Sequence, residues 1–344
     1  MAIPLIIGLS VVIVATDGEN PGVLVTRRDG GLVALPFGTF DPEGHRTFEI
    51  ALRGWVREQT SFDLGYVEQL YTFGDRDRET PEATLADAPP DARVVSVGYL
   101  ALTPDQQRLP DRLQARWRGW YSHFPWEDHR AGRPAIIDRE IVPRLATWAA
   151  GSDTRRTRVD LAFGLAGNDW SEDRVVERYE LLYEAGLVTE CARDAGLPVP
   201  DVKLGEPMAS DHRRILATAM ERLRGKIRYR PVVFELMPDR FTLSDLQATC
   251  EGILGLSLHK QNFRRALDRT GLVAGTGEMK ASTGGRPAEL YRFLREKVRK
   301  SAAIGISTPA SRARFRALLA VLTPSATWFM PPRMSSRAIP WPSL

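Results

Sequence analysis

Residues 241–271 read FTLSDLQATCEGILGLSLHKQNFRRALDRTG, a pattern of two helices separated by a short turn. Thr242 is suited to cap the first helix, with Asp245 three positions later as the second half of a capping box, and Gly255 ends that helix. The second helix ends before Gly271, and its inward-facing residues fall at helical spacing, namely Phe263, Ala266, Leu267 and Thr270. This stretch predicts a helix-turn-helix.

Two short strands with a basic turn between them follow the second helix. Leu272-Val273-Ala274 begins the first strand, and Gly284-Gly285-Arg286-Pro287 leads into the second strand. From Ser257 to Arg295 the chain carries eight basic and three acidic residues, a local net charge of +5. The order of helix, turn, helix and wing, together with this charge, predicts a DNA-binding winged helix. The alternative is a small helical domain that contacts other proteins.

The side of the second helix opposite its apolar face carries long hydrogen-bonding side chains, as insertion into a DNA major groove requires. Gln261, Arg264 and Arg265 are expected to read bases, and the other cations are expected to contact phosphates. The full set of predicted DNA-binding residues is His259, Lys260, Gln261, Asn262, Arg264, Arg265, Arg269 and Arg286.

The chain before the winged helix mixes strand and helix patterns. The apolar run Leu5–Val14 precedes the first basic residue, Arg27, and is too short to cross a bilayer, so it predicts a buried strand rather than a signal peptide. A helical pattern covers Phe48–Gln59, and Arg93–Leu102 reads as a strand rich in β-branched residues. We expect a cytoplasmic α/β protein with no membrane partner.

Three further segments lie between that strand and the winged helix. The aromatic stretch 109–150 is expected to be irregular and pinned by large apolar anchors, with a ligand site as the alternative. Residues 171–185 predict an amphipathic helix capped by Ser171. A helix over Asp211–Lys226 has an apolar side and a basic side, and its basic residues are Arg213, Arg214, Arg222 and Arg224.

Composition alone does not point to DNA. The 344 residues are 43% hydrophobic and 26% charged, with a formal net charge of +4. Residues 297–344 hold eight Lys or Arg and no acidic residue, so the basic isoelectric point reflects this tail. The tail is expected to be disordered. Cys191 and Cys250 are expected to be reduced thiols.

Five stretches of the sequence are long and specific, namely 65–75, 95–99, 229–243, 259–265 and 285–291. Through them the chain, up to about residue 296, resembles the Nudix-related transcriptional regulators of NAD metabolism, of the NadQ and NrtR type. The resemblance implies a Nudix-like α/β/α sandwich followed by a C-terminal winged helix-turn-helix. It also implies a homodimer, repression of genes for NAD synthesis or salvage, and a nucleotide effector such as NAD, ADP-ribose or an ATP-like molecule.

With this resemblance we divide the chain into three parts. Residues 1–238 are expected to form the effector-sensing domain, with a helical insertion around 105–205. Residues 239–296 are expected to form the DNA-binding domain, and 297–344 the basic tail. The expected partners are double-stranded DNA, a small nucleotide and a second copy of the chain.

A Nudix hydrolase binds Mg²⁺ through several Glu in the pattern Gly-x5-Glu-x7-Arg-Glu-x-x-Glu-Glu-x-Gly, because Mg²⁺ prefers oxygen ligands. If Arg53 is the motif's Arg, its three Glu positions hold Gly54, Arg57 and Glu58. If Thr60-Ser61-Phe62 sets the register instead, those positions hold Trp55, Glu58 and Gln59. Either register leaves one carboxylate. We therefore expect no catalytic residue, no metal and no required cofactor, with an ADP-ribose hydrolase as the alternative.

The effector-binding residues are expected among arginines, which pair with diphosphates, and aromatic rings, which stack on bases. The candidates lie near the former catalytic loop and after the Tyr-Thr-Phe-Gly-Asp string that ends at Asp75. They are Arg27, Arg28, Phe37, Arg46, Glu58, Arg76 and Arg78.

Overall fold

The apolar run near the N-terminus forms the central strand of a mixed sheet. The structure is a computed structural model, and it describes residues 4–27, 31–75, 78, 92–104, 106, 109, 115–280 and 287–299. The strands, in chain order, are β1 Leu5–Thr16, β2 Pro21–Arg27, β3 Val33–Ala34, β4 Phe37–Thr39, β5 Tyr66–Phe73, β6 Arg93–Leu102 and β7 Ala115–Gly119, followed by a separate hairpin of β8 Val273–Lys280 and β9 Ala288–Phe293. The sheet has the strand order β3-β2-β1-β6-β5, with β4 beside β1 and β7 beside β2. Only β1 and β6 pair in parallel among these strands.

The helices cover both faces of the sheet and continue into the C-terminal part. They are α1 Phe48–Thr60, α2 Trp120–His123, α3 Val142–Trp148, α4 Asp153–Phe163, α5 Val175–Glu184, α6 Thr189–Asp194, α7 His212–Ile227, α8 Leu243–Leu254, α9 Lys260–Thr270 and α10 Arg295–Arg299. Short 3-10 turns span Pro125–Glu127 and Val232–Leu236, and a π-helical turn spans Ile137–Ile141.

The alternation of side chains along β1 builds the two sides of the core. Leu9, Val11 and Ile13 pack with α1, whereas Val12 and Val14 belong to the larger cluster that contains α7. All five are fully buried, as a strand covered on both faces requires. The predicted α/β/α sandwich is therefore confirmed, with α1 on one face of the sheet and α7 on the other.

The winged helix follows α7 without a separate core. Leu246 and Ile253 of α8 and Leu267 of α9 lie in the same buried cluster as the apolar face of α7. Phe234, in the turn before α8, stacks on Phe293 of β9 with ring centroids 4.1 Å apart. The stacking closes the turn onto the wing, and the shared cluster with α7 packs the winged helix directly on the preceding part of the chain.

Two expectations from the sequence are wrong in detail. The stretch 109–150 is largely regular, since it contains β7, α2 and α3, although its anchors Trp120, Phe124 and Trp126 are fully buried as expected. The helix expected to start after Ser171 begins only at Val175. The carbonyl of Ser171 instead accepts a hydrogen bond from the buried guanidinium of Arg178, 2.8 Å away.

Two of the four arginines on the basic side of α7 are buried. Arg213 and Arg224 are at most 1% exposed, and each pairs with a buried glutamate from a distant part of the chain. Within the described residues no helix is long and apolar enough to span a membrane. Residues 297–299 of the predicted tail belong to α10, and the rest of the tail, for which disorder is expected, lies outside the described residues.

Candidate nucleic-acid interface and effector face

Helix α9 presents the predicted DNA-binding residues on its exposed side. His259 is the N-cap residue, and Phe263, Ala266 and Leu267 anchor the helix from below. Asn262 is only half-exposed, because it lies at the flank of the helix. The exposed members of the predicted set are His259, Lys260, Gln261, Arg264, Arg265 and Arg269.

The positively charged side chains of α9 are available to bind a polyanion. Among the described residues, Lys260, Arg264 and Arg265 have no acidic partner within ion-pair distance, whereas nearby Lys280 and Arg295 pair with Asp245 and Glu235. Unpaired exposed cations on one helix face favour contact with phosphates or with acceptor atoms on base edges.

The first helix of the pair, α8, is fixed at its start by the predicted capping box. Asp245 N donates to Thr242 Oγ1 at 3.0 Å, and Thr242 N donates to Asp245 Oδ2 at 2.9 Å. Burial by itself raises the pKa of Asp245, but the hydrogen bonds from Thr242 and the charge of Lys280 hold that pKa below its usual range. Lys280 lies in β8, so the cap also ties the wing to α8.

The turn between α8 and α9 is closed by side chains of α8. Glu251 Oε1 accepts from Leu258 N at 2.7 Å, and Gln247 Nε2 donates to Leu258 O at 2.9 Å. These bonds satisfy backbone groups that the turn would otherwise leave unpaired. The turn therefore holds α8 and α9 at a fixed angle.

The wing is the hairpin of β8 and β9, extended by a bridge between Phe241 and Tyr291. A groove of about 500 Å³ separates it from the starts of α8 and α9. Lys260 and Arg264 line one wall of the groove, and Tyr291 lines the other. The predicted wing residue Arg286 lies outside the described residues.

On the other side of the molecule, the end of α1 decides between the two registers of the Nudix motif. Ser61 has a φ of +55°, in the left-handed region, and its N–H donates to the carbonyl of Arg57 at 2.8 Å. This is the conformation for which a helix-terminating Gly is normally selected. Ser61 therefore occupies the position of the motif's last Gly, and the motif's Glu positions hold Trp55, Glu58 and Gln59.

Two of these three positions are used to attach α1 to β4. Trp55 Nε1 donates to Thr39 O at 3.0 Å, and its ring lies so close to Gly38 that an added Cβ there would come within 2.4 Å of it. Gln59 pairs with both backbone groups of Phe37, at 3.3 and 2.5 Å. No group of three or more His, Cys, Asp or Glu with metal-binding spacing occurs among the described residues. The side chains present do not fit a Nudix-type Mg²⁺ site.

The described effector candidates lie on several different elements of the fold. Arg27 is the exposed last residue of β2, and Arg46 is exposed in a loop. Glu58 is exposed on α1, and Phe37 is buried beside the ring of His212 at a centroid distance of 5.4 Å. Arg28 and Arg76 lie outside the described residues. The role of the whole predicted set in effector binding stays a prediction.

Arg78 lies in a different layer from the other candidates. Its two terminal nitrogens each bond to Glu180 of α5 at 2.9 Å, and its guanidinium stacks 3.7 Å from the ring centre of Tyr183. Helix α5 packs on α7, across the sheet from α1. Arg78 is thus held by protein groups away from the Nudix helix.

Comparison with known proteins finds relatives of the winged helix and of the fold. The family model of the NrtR DNA-binding winged helix domain matches residues 233–293. Over 86 residues the chain is 45% identical to the ADPR responsive transcriptional repressor NtrR of Acinetobacter baylyi, which covers 25% of this chain and 34% of the relative. The match thus spans about a third of that curated relative.

Among solved structures, Shewanella oneidensis NrtR in complex with a 27mer DNA has a TM-score of 0.51 and 20% identity, covering 85% of this chain and 95% of that chain. The uncomplexed NrtR of the same organism gives the same TM-score and identity. The resemblance to Nudix-related regulators is confirmed at the level of the fold, and residues 233–293 form a winged helix of the NrtR type.

Proposed function

We propose that this chain is a transcriptional repressor that binds double-stranded DNA as a homodimer and responds to a nucleotide bound in its Nudix-like domain. The observation that carries the proposal is helix α9, whose unpaired cations and Gln261 stand on the outer side of a winged helix of the NrtR type. A two-fold dimer would present two such helices to two half-sites one helical turn apart.

The class of effector follows from the relatives. The curated relative is named an ADPR responsive repressor, and a Nudix-like fold is suited to a nucleoside diphosphate. We take ADP-ribose as the first candidate, with NAD and ATP-like molecules as the others, and genes of NAD synthesis or salvage as the targets. We also place the boundary of the winged helix near residue 233, because Phe234 stacks on Phe293.

The first prediction concerns DNA upstream of the chain's own gene and of NAD-synthesis genes. We expect a sequence-specific complex at fixed salt whose affinity changes when ADP-ribose, but not every nucleotide, is added. Electrophoretic mobility shift with each nucleotide in turn measures this, and random duplex of equal length is the reference. Equal affinity for both duplexes under all conditions would favour the alternative, in which the winged helix contacts other proteins instead of DNA.

The second prediction concerns catalysis. With Trp55 and Gln59 bonded to β4, a single carboxylate remains at the motif's Glu positions, which is too few to hold a catalytic Mg²⁺. We expect no Mg²⁺-dependent release of AMP from ADP-ribose above the blank, while the same sample binds ADP-ribose in calorimetry. If the sample releases AMP from ADP-ribose and EDTA abolishes this release, the chain is instead an ADP-ribose hydrolase.

A further inference from the structure

The C-terminal end of α8 is held by groups from outside the winged helix. Gly252 O accepts from the hydroxyl of Tyr121 at 2.7 Å, and Ile253 O accepts from Arg224 Nε at 2.9 Å. Gly255 O accepts from His129 N at 2.8 Å. The last carbonyls of a helix have no partners within the helix and carry its negative dipole end, so a cation and two further donors stabilise them.

Arg224 is the central member of this contact. It is fully buried, and each of its three nitrogens makes at least one hydrogen bond. Since a guanidinium is planar and its donors have fixed directions, this arrangement allows one orientation of the helix end. The acceptors are Ile253 O, Glu127 Oε2, Glu127 O, Glu172 O and the Tyr121 hydroxyl.

Arg224 is in turn fixed by a second buried pair. Glu127 accepts from Arg178 through both carboxylate oxygens, at 2.5 and 2.8 Å, and from Arg224 at 2.6 Å. Burial alone raises the pKa of Glu127, but the charges of Arg178 and Arg224 hold it below its usual range. The carboxylate therefore stays ionised and keeps both guanidinium groups in place.

The backbone of α8 also lies directly on the hairpin between β1 and β2. A Cβ added to Gly252 would lie 2.2 Å from the carbonyl of Glu19, so only glycine permits this approach. Arg130 donates to the same carbonyl at 2.9 Å, and its own carbonyl accepts from Ser257 Oγ in the turn before α9 at 2.8 Å. The turn that leads into α9 is thus attached to the sheet domain.

A continuous segment connects this contact to the Nudix helix face. Trp117, in β7, packs against Phe62 just beyond α1 with ring centroids 6.2 Å apart. Tyr121 follows four residues later and reaches the end of α8. Residues 115–130 therefore touch both the layer of α1 and the helix-turn-helix.

We propose that Tyr121 and Arg224 are positioning residues for DNA recognition, which fix the direction of α9 relative to the rest of the dimer without touching DNA. The proposal rests on the function proposed above. A specific complex needs α9 in one orientation at both half-sites, whereas non-specific attraction to phosphates tolerates many orientations. Loss of these contacts should therefore lower specificity more than general affinity.

The test uses the full chain with Tyr121→Phe and, separately, Arg224→Lys. Tyr183→Phe is the matched control, since its hydroxyl bonds to Asp194 at 2.9 Å, away from α8. The probe is the duplex that the wild-type chain selects from a randomised library, with a scrambled duplex as the reference. Thermal unfolding of each variant verifies the fold.

For Tyr121→Phe we expect an unfolding midpoint lowered by about 2–4 °C, as loss of one buried hydrogen bond gives. Binding to the selected duplex should weaken about fivefold, because the end of α8 is then held less firmly. Binding to the scrambled duplex should stay as in the wild type. Tyr183→Phe should show a similar drop in the unfolding midpoint but bind both duplexes as the wild type does. ADP-ribose should alter DNA binding less in the Tyr121→Phe variant. If folded Tyr121→Phe binds the selected duplex as tightly as the wild type, or loses affinity for both duplexes equally, the positioning role is wrong. If the wild type itself selects no duplex, the proposed function fails first.

Discussion

Replacing Glu127 by Gln is expected to lower the free energy of unfolding by about 3–5 kcal/mol, the cost of leaving a buried charge without its partner. Arg178 and Arg224 are both fully buried and both pair with this carboxylate. Glutamine keeps the size of the side chain but removes the negative charge, so two guanidinium groups would remain in the core without a counter-ion. For a domain with a total stability of about 5–15 kcal/mol, this is a large fraction.

Urea denaturation followed by circular dichroism measures the effect, and the exposed pair of Arg158 and Glu184 supplies the control. Those side chains also form two bonds, at 2.8 and 2.7 Å, but are 38% and 40% exposed. Glu184→Gln should cost at most about 1 kcal/mol. Adding Arg178→Met to the Glu127 variant should recover part of the loss, because an apolar side chain then replaces an unpaired charge. Equal effects of Glu127→Gln and Glu184→Gln would contradict the assigned role of the cluster.

The elements that local sequence defines were predictable. The capping box of Thr242 and Asp245, the apolar face of α9 and the buried run in β1 each depend on residues a few positions apart. Periodicity and capping report such local interactions directly. The order of helices and wing followed from these alone, and with it the side of α9 that is exposed.

The contacts that connect the two parts of the chain were not predictable in this way. Periodicity placed Arg224 on the polar side of α7, yet its partner Glu127 is 97 residues away in the sequence. Likewise, the sequence left two registers for the Nudix helix, because Ser61 occupies a left-handed position without being Gly. Only the backbone conformation distinguishes the two registers, and only the folded structure shows that the ring of Trp55 packs against Gly38.

Replacing Arg264 by Ala is expected to weaken binding to the selected duplex by about 10- to 100-fold, equivalent to about 1–3 kcal/mol for a lost base contact. Arg264 is exposed on the outer side of α9, lines the groove toward the wing and has no acidic partner within the described residues. Its guanidinium is therefore free to make two hydrogen bonds to a guanine edge. Affinity for scrambled duplex should change little.

Two matched variants separate base reading from simple loss of charge. Arg269→Ala removes a cation at the flank of the same helix, and as a phosphate contact it should weaken both duplexes about equally and reduce the salt dependence of binding by about one unit. Arg156→Ala removes an exposed cation from α4, outside the winged helix, and should change neither affinity. A parallel loss for Arg264→Ala on both duplexes would make Arg264 a phosphate contact, and the reading of bases would then depend on Gln261 and Arg265.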